Sequence, residues 1–387
     1  MSTESSRPPL SFWLARKNRP EEVGTVVVGG GVVGLATAYW LSKLGEVPWI
    51  LEAEHLAFGA SGRNAGYLLT GTAEPFVRLA GTIGREQALR FWEISRRNRE
   101  LLRSEVLDAG RVDCEFLPEG SYMASLDEPE RLEELEASFE ELSQAGFEME
   151  WKNAAQVRAE SGCPILGGAI FQRQDGGLDP ARFCRGLAAL SGAQIRQGSR
   201  VRALSPDGDA VRVEGDGFDL RARRVVVALN AFVPTLLPSL AGKVWPVRGQ
   251  MMATAPAARS LRGVWYIDDG FEYARQLSDG TFLLGGCRRE AMEEEVGFMA
   301  APTARIQGAL DDYRQRAFPA FAELPVLRRW AGTMAFTEDG LPLVGEVPDV
   351  PGAVYAAGFN GHGMSLGFVY GKHLAERALG RPAEPLF

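Results

Sequence analysis

Three glycines, Gly29, Gly31 and Gly34, lie between a β-branched run, Val26–Val28, and a stretch of good helix formers, Leu35–Leu44. Their spacing is GxGxxG, and between a strand and a helix that spacing marks a dinucleotide site. Gly29 makes the tight turn, Gly31 lets a pyrophosphate approach the backbone, and Gly34 lets helix and strand pack closely. The helix start, with Val32 and Val33, turns free N–H groups and positive potential toward the phosphates. A second strand, "VPWILEAE", ends at Glu52 and Ala53, about 20 residues on. A carboxylate there accepts both hydroxyls of an adenosine ribose and repels a 2′-phosphate.

Two further stretches carry chemistry. Residues 55–66 read "HLAFGASGRNAG". Small residues (Ala60, Ala65, Gly66) strip the loop of bulk, so its backbone can approach a ligand. Ser61 can donate to a pyrophosphate, Arg63 supplies a cation, and Asn64 can reach a flavin ring. Near the C-terminus, "VYAAGFNGHGMSLGFVYGKHLAERAL" reads as a strand, Val354–Ala357, then a turn with Gly358, Gly361 and Gly363, then a long helix. A helix start beside Asn360, His362 and Met364 can stabilise charge on the electron-rich edge of a reduced flavin. The plainer alternative is an ordinary connection in an α/β fold.

Elements must position these groups, and the chain has room for them. Its 387 residues allow two domains. A net charge of −8 argues against nucleic acid as a partner. The four cysteines form no CxxC pair, and the three histidines have no metal-ligand spacing, so neither a disulfide framework nor a metal site is expected. The first 20 residues lack the apolar core of a signal peptide. No apolar run approaches the roughly 20 residues that span a bilayer. The expected compartment is reducing and cytoplasmic.

Helical patterns occupy residues 85–107 and 128–146, the second with Asp127 and Glu130 spaced as a capping box. Asp179 and Pro180 read as N-cap and first residue of another helix. Residues from Ser199 to Leu229 alternate around Asp-Gly turns and read as strands. A second strand-rich segment runs from Trp245 to about Phe321, ending in a helix with Ile306, Leu310 and Tyr313. No repeat or low-complexity linker separates the two regions, so their domains interleave.

With these residues quoted, the chain resembles the D-amino-acid oxidase superfamily of FAD-dependent enzymes, of the glycine oxidase and sarcosine oxidase type. "GASGRNAG" and "GFNGHG" are most similar to the branch holding γ-glutamylputrescine oxidase and DadA-like deaminating oxidoreductases, as is "SFWLARKNRP" before the first strand. The resemblance implies an α/β fold, with a Rossmann-like FAD-binding domain interleaved with a smaller α+β substrate domain on a mainly antiparallel sheet. It divides the chain into an extension (1–20), FAD-binding parts at 21–80, 151–243 and 326–387, and substrate parts at 81–150 and 244–325. It assigns Val201 a backbone contact to adenine, and assigns none at Leu229-Asn230, where the family's glycine-bearing turn is lost.

The implied chemistry is oxidation of a C–N bond by hydride transfer to flavin N5, giving an imine that hydrolyses. The substrate is then an amine or amino acid, and the electron acceptor is oxygen or a quinone. Departures refine this. Gly332 stands where sarcosine-type members carry an FAD-linking cysteine, so noncovalent FAD is expected. Met334 replaces the carboxylate-binding arginine of glycine oxidases, and Ser365 replaces the lysine of the sarcosine type. Arg248, Arg275 and Arg288 remain as possible carboxylate anchors, although a surface or interdomain ion pair is the plainer reading of each. Tyr67, Tyr266 and Tyr273 suit a pocket wall or a core, and His362 suits a flavin or substrate contact or a plain helix cap. Two rival functions stand beside amine oxidation. One is FAD-dependent dehydrogenation of a 2-hydroxy acid or similar alcohol, which needs a base such as His362. The other is a flavin-bearing subunit that needs a partner.

Overall fold

The computed structural model describes residues 20–387, so the N-terminal extension lies outside the described residues but for Pro20. Along the chain the helices are α1 (Val32–Lys43), α2 (Phe76–Ile83), α3 (Arg85–Leu102), α4 (Pro129–Gln144), α5 (Ala154–Ser161), α6 (Pro180–Ser191), α7 (Val233–Leu236), α8 (Ala304–Ala317) and α9 (Gly363–Ala378).

The first sheet is built on β1 (Glu21–Val28), flanked by β2 (Trp49–Leu51) and β8 (Gln194–Arg196) on one side. On the other side come β11 (Phe218–Val227), β18 (Ala353–Ala357) and β17 (Leu343–Glu346). All these neighbours are parallel except β17 against β18. The antiparallel strands β9 (Val201–Asp207) and β10 (Ala210–Gly215) extend β11. Val26, Val27 and Val28 are buried, as a parallel strand covered on both faces requires. Helices α1 and α9 pack closely because α9 carries glycines where they meet. A Cβ on Gly371 would lie 2.6 Å from that of Ala36. Trp40 Nε1 also donates to the Phe368 carbonyl at 3.0 Å.

The second sheet runs β16 (Val326–Phe336), β12 (Trp245–Thr254), β15 (Phe282–Gly286), β14 (Glu272–Gln276), β13 (Val264–Ile267), β4 (Ser121–Leu126), β6 (Leu166–Gln172) and β5 (Glu150–Asn153). Only β13 and β4 pair in parallel. Ile306, Leu310 and Tyr313 of α8 are buried in the same core as Phe282 and Leu284 of this sheet. A short ladder of β3 (Tyr67–Leu68) with β7 (Gly176–Gly177) completes the strands.

The fold class is the one expected, but sheet membership moves three boundaries. β5 and β6 fall in the 151–243 part assigned to the FAD domain, or at its edge, yet both pair into the second sheet. β16, placed in the 326–387 part, pairs along its length with β12. Conversely α3, placed in the 81–150 substrate part, packs on α9, where Asn98 Oδ1 accepts from the Phe368 and Val369 amides at 2.8 and 3.0 Å. Hydrophobic pattern reveals a strand but not the sheet that its edges join. The expected capping box at Asp127 is absent too: the N-cap of α4 is Glu128 without a side-chain cap bond, and Asp127 instead accepts from Arg158 at 2.5 Å. Asp179 does cap α6, taking the amides of Ala181 and Arg182 at 2.9 Å.

Candidate active site

A cavity of about 890 Å³ is lined by residues of both sheets. At one end stands the β1–α1 turn. Gly29 has φ +112°, and a Cβ on it would sit 2.6 Å from the Ala228 carbonyl oxygen. A Cβ on Gly34 would sit 2.0 Å from the Gly29 carbonyl oxygen, so that glycine seats the helix on the turn and does not itself line the cavity. Ser61 Oγ accepts the Val32 amide at 2.9 Å, which caps α1 and leaves the hydroxyl hydrogen free to donate. Glu52 is held by two backbone donors, Gly30 N–H at 2.7 Å and Glu54 N–H at 2.8 Å. Each carboxylate oxygen keeps a lone pair for another donor. Ala53 and Val201 line the same end. So do Arg200 and Arg202, whose charges are met by Glu54 at 3.0 Å and Asp216 at 2.9 Å.

These residues fit an FAD nucleotide. The turn offers a backbone cradle that a Cβ would fill, the capped helix start offers N–H groups, and Glu52 offers fixed acceptors. The loop at residues 60–66 lies alongside, and the side chains of Asn64 and Arg63 help to fix its shape. Asn64 Nδ2 donates to the Ala60 and Ser61 carbonyls, both at 2.9 Å, and its Oδ1 accepts from Gly66 N–H at 2.7 Å. Arg63 donates to the Phe58 carbonyl at 2.8 Å and across to that of Ala331, on β16, at 3.0 Å. Both side chains, with Ala60 and Ala65, line the cavity; Asn64 has both amide hydrogens committed, whereas Arg63 uses two of its five N–H donors and keeps three. Gly66 does not line it: with φ +75°, its Cβ would collide with the Leu178 carbonyl at 2.0 Å.

The turn before α9 closes the middle of the cavity through Asn360, Gly361, His362, Gly363 and Met364. Gly358, with φ +75°, instead packs on Thr337, whose Cγ2 would lie 2.4 Å from an added Cβ. Asn360 accepts the Thr337 amide at 2.9 Å and donates to the Gly358 carbonyl at 2.7 Å. Leu229 and Asn230, given no cofactor role from sequence, line the cavity as well. Asn230 Oδ1 accepts from the Gly358 and Phe359 amides at 3.1 and 3.3 Å, an arrangement that only the meeting of β11 and β18 reveals.

His362 has no spare nitrogen. Its Nε2 accepts the Ala73 amide at 3.1 Å, so Nδ1 carries the proton and donates to the Asn360 carbonyl at 2.8 Å. Burial lowers its pKa and so favours this neutral form.

The far end is a wall of the second sheet. Tyr67, Tyr266 and Tyr273 form a cluster, with Tyr67 5.2 Å from Tyr266 and 6.4 Å from Tyr273 between ring centroids. Tyr67 donates to the Ala274 carbonyl at 2.7 Å. Burial raises all three phenols, Tyr266 to about 12, so each stays a neutral donor. Gly332, Met334 and Ser365 line the cavity, and Ser365 Oγ accepts the Leu69 amide at 3.0 Å.

The three candidate arginines part company here. Arg248 does not line the cavity; it is buried in a two-point pair with Glu295, at 2.7 and 2.6 Å. Arg275 does not line it either. It is buried and donates to the carbonyls of Ala65, Gly66 and Leu178 at 3.0–3.3 Å, tying the small-residue loop to β14. Arg288 alone of the three lines the cavity. Its guanidinium lies 5.3 and 4.9 Å from the ring centroids of Phe271 and Phe336, with no ion-pair partner among the described residues. Burial lowers its pKa, outweighing the opposing influence of Tyr273 and Glu295.

No cysteine lines the cavity. Among the described residues no cluster of His, Cys, Asp or Glu could hold a metal, and no helix is long and apolar enough to cross a membrane.

Comparison with known proteins gives the family and the fold. The family model DAO, described as FAD dependent oxidoreductase, matches residues 25–377. The chain is 27% identical over 371 residues to a probable oxidoreductase, OrdL, of Rhizobium meliloti (strain 1021), covering 92% of this chain and 83% of that one. It is 27% identical over 363 residues to gamma-glutamylputrescine oxidoreductase of Escherichia coli (strain K12), covering 90% and 82%. Among solved structures, L-proline dehydrogenase from P. horikoshii superimposes with a TM-score of 0.79 at 21% identity, covering 95% of this chain and 96% of that one.

Proposed function

The chain belongs to the DAO family of FAD-dependent oxidoreductases, and from that premise we propose that it oxidises the C–N bond of an amino acid, with Arg288 holding the carboxylate. The observation that carries this reading is a guanidinium that faces the cavity between two aromatic rings with no ion-pair partner among the described residues. A carboxylate supplies what it lacks, in two parallel hydrogen bonds. Bound FAD supplies the two-electron acceptor.

The protein's own work is then placement. Gly29, Gly31, Val32, Ser61 and Glu52 would hold the nucleotide, and with no cysteine on the wall the cofactor would be noncovalent. The three tyrosines would exclude water from the reacting carbon, with the Tyr67 hydroxyl tied to the Ala274 carbonyl. The amine reacts in its neutral form and loses hydride from its α-carbon, and water hydrolyses the resulting imine. Dehydrogenation of an alcohol would need a base for the hydroxyl proton, and both nitrogens of His362 are already committed. That favours the amine reading. The acceptor, oxygen or a quinone, is settled by admitting air to the reduced protein.

The test is anaerobic bleaching of the bound flavin's visible absorbance by D- and L-amino acids, N-methylated glycines, polyamines and 2-hydroxy acids. Bleaching by amino acids, and its loss in Arg288→Met that still binds FAD, is expected. Bleaching by hydroxy acids alone overturns the reading.

A further inference from the structure

Resting on that placement of Arg288, we infer that the substrate is a dibasic amino acid, and that Glu74 is the residue that selects it by pairing with the distal positive charge. Glu74 lies on the cavity wall in the segment between β3 and α2. Its carboxylate has neither a hydrogen bond nor an ion pair among the described residues. The nearby charges are already matched: Arg78 pairs with Asp269 at 2.6 Å and with Glu134, and Asp269 is also met by Arg289 at 3.3 Å and Arg131 at 3.7 Å. Glu74 is the carboxylate left over. Half-buried and without a bonded partner among the described residues, it is short of solvation, and burial raises its pKa against the opposing pull of Arg78. A bound ammonium or guanidinium would restore what burial removes.

The segment that carries Glu74 is held in place. Ala73 N–H donates to His362 Nε2 at 3.1 Å, and a Cβ on Gly270 would lie 2.5 Å from that of Ala73. Tyr266 packs beside Gly270 and His362, whereas Arg288 lies over the ring of Phe271, the residue before the strand that carries Tyr273. The rings of Tyr266 and Tyr273 are 6.3 Å apart. Arg288, Glu74, Tyr266 and Tyr273 line one cavity, so a ligand that touches Arg288 with its carboxylate and Glu74 with its far end lies along a wall that includes the two tyrosines. A lysine- or ornithine-like chain does so, laying methylenes on the rings and a cation near their faces. A bare α-amino acid leaves Glu74 unpaired.

The test compares matched substrates on the FAD-loaded enzyme: both enantiomers of lysine against norleucine and of ornithine against norvaline, read as the anaerobic rate of flavin reduction divided by the apparent Kd. The basic member of each pair should win by roughly 10- to 100-fold, the scale set by a partly desolvated charge pair. Glu74→Gln should bring that ratio to about one, and Glu74→Arg should turn the preference toward 2-aminoadipate. Equal rates for lysine and norleucine overturn this inference while leaving amino-acid oxidation standing. A Glu74→Gln protein that loses lysine and norleucine equally also overturns it, because Glu74 then serves the reacting amine and not the distal charge. Bleaching by no amino acid, basic or neutral, overturns both this inference and the reading of Arg288 beneath it. Dithionite reduction of the bound flavin checks that each variant is folded and loaded.

Discussion

At the β1–α1 end the cavity wall is mostly backbone. Gly29, Gly31 and the start of α1 contribute main-chain atoms, and Ser61 and Glu52 are each fixed by backbone amides. At the second-sheet end the wall is side chain: tyrosines, Met334 and Arg288, which has no ion-pair partner among the described residues, supplied by segments far apart in sequence. The first end tolerates almost no added atom, and the second is defined by the atoms added. A fixed cofactor and a selected substrate call for these two kinds of wall.

The sharpest way to break the contrast is Gly34→Val. The new Cβ would start 2.0 Å from a backbone oxygen that has no flexible end to swing away. The cost exceeds about 4 kcal/mol, beyond what most single substitutions inflict. No FAD-loaded protein should be recovered, as read from the ratio of flavin to protein absorbance. A loaded, stable variant would show that α1 can slide along the turn, and the backbone end would lose its claim to rigidity.

Arg288→Met is the counterpart at the other end. It should retain FAD and lower the reduction rate divided by apparent Kd about 100- to 1,000-fold for amino acids, the scale of a lost two-point carboxylate contact. Arg275→Met should behave differently, because Arg275 holds the carbonyls of Ala65, Gly66 and Leu178. Its loss should lower thermal stability and FAD retention together. If the two variants gave the same phenotype, the two ends would not be separable.

This contrast also explains what could be read from the sequence. GxGxxG, Glu52 and the small-residue loop lie within about 40 residues of one another, and their chemistry is a matter of local spacing. The sorting of Arg248, Arg275 and Arg288 was not legible. Three arginines on strands or strand ends look alike until sheet pairing shows that one meets Glu295, one meets carbonyls and one meets the cavity. Nor could Asn64 or Asn360 be assigned from type alone. Their amides serve the turns that carry them, a use that the sequence writes no differently from ligand binding. The boundary errors at β5, β6 and β16 have the same origin, since strand pairing is a long-range property.

Glu272 offers a smaller effect on the reverse side of β14, away from Tyr273. Burial, aided by Asp268, raises its carboxyl to about 7 from an ordinary 4.5. A carboxyl raised on folding contributes stability that is full below about pH 4.5 and is lost as pH rises through about 7. Denaturant midpoints at pH 5 and pH 8.5 should show the wild type losing about 2–3 kcal/mol relative to Glu272→Gln over that interval. Parallel behaviour of the two proteins would mean that Glu272 is charged throughout.

His362→Asn should have the smallest effect, and it tests whether the middle of the cavity belongs to the structural or the chemical side. The imidazole joins the Ala73 amide to the Asn360 carbonyl, so it sets the spacing between the Glu74 segment and the α9 turn. An asparagine keeps an acceptor and a donor on a shorter reach. The expected outcome is a fall of about two- to five-fold in reduction rate over Kd, with an unchanged pH profile, because proton transfer by a true base would contribute 100-fold or more. The linkage has its own sign. Burial lowers the His362 pKa below the ordinary 6.5, so its neutral form contributes stability above about pH 6.5 that is lost as pH falls toward the folded value. The variant should therefore lose less stability than the wild type between pH 7 and pH 5. A large loss of rate, together with loss of the acidic limb of the rate profile, would instead make His362 a proton acceptor. The Ala73 contact would then have to open during turnover, and the alcohol-oxidising alternative would regain its base.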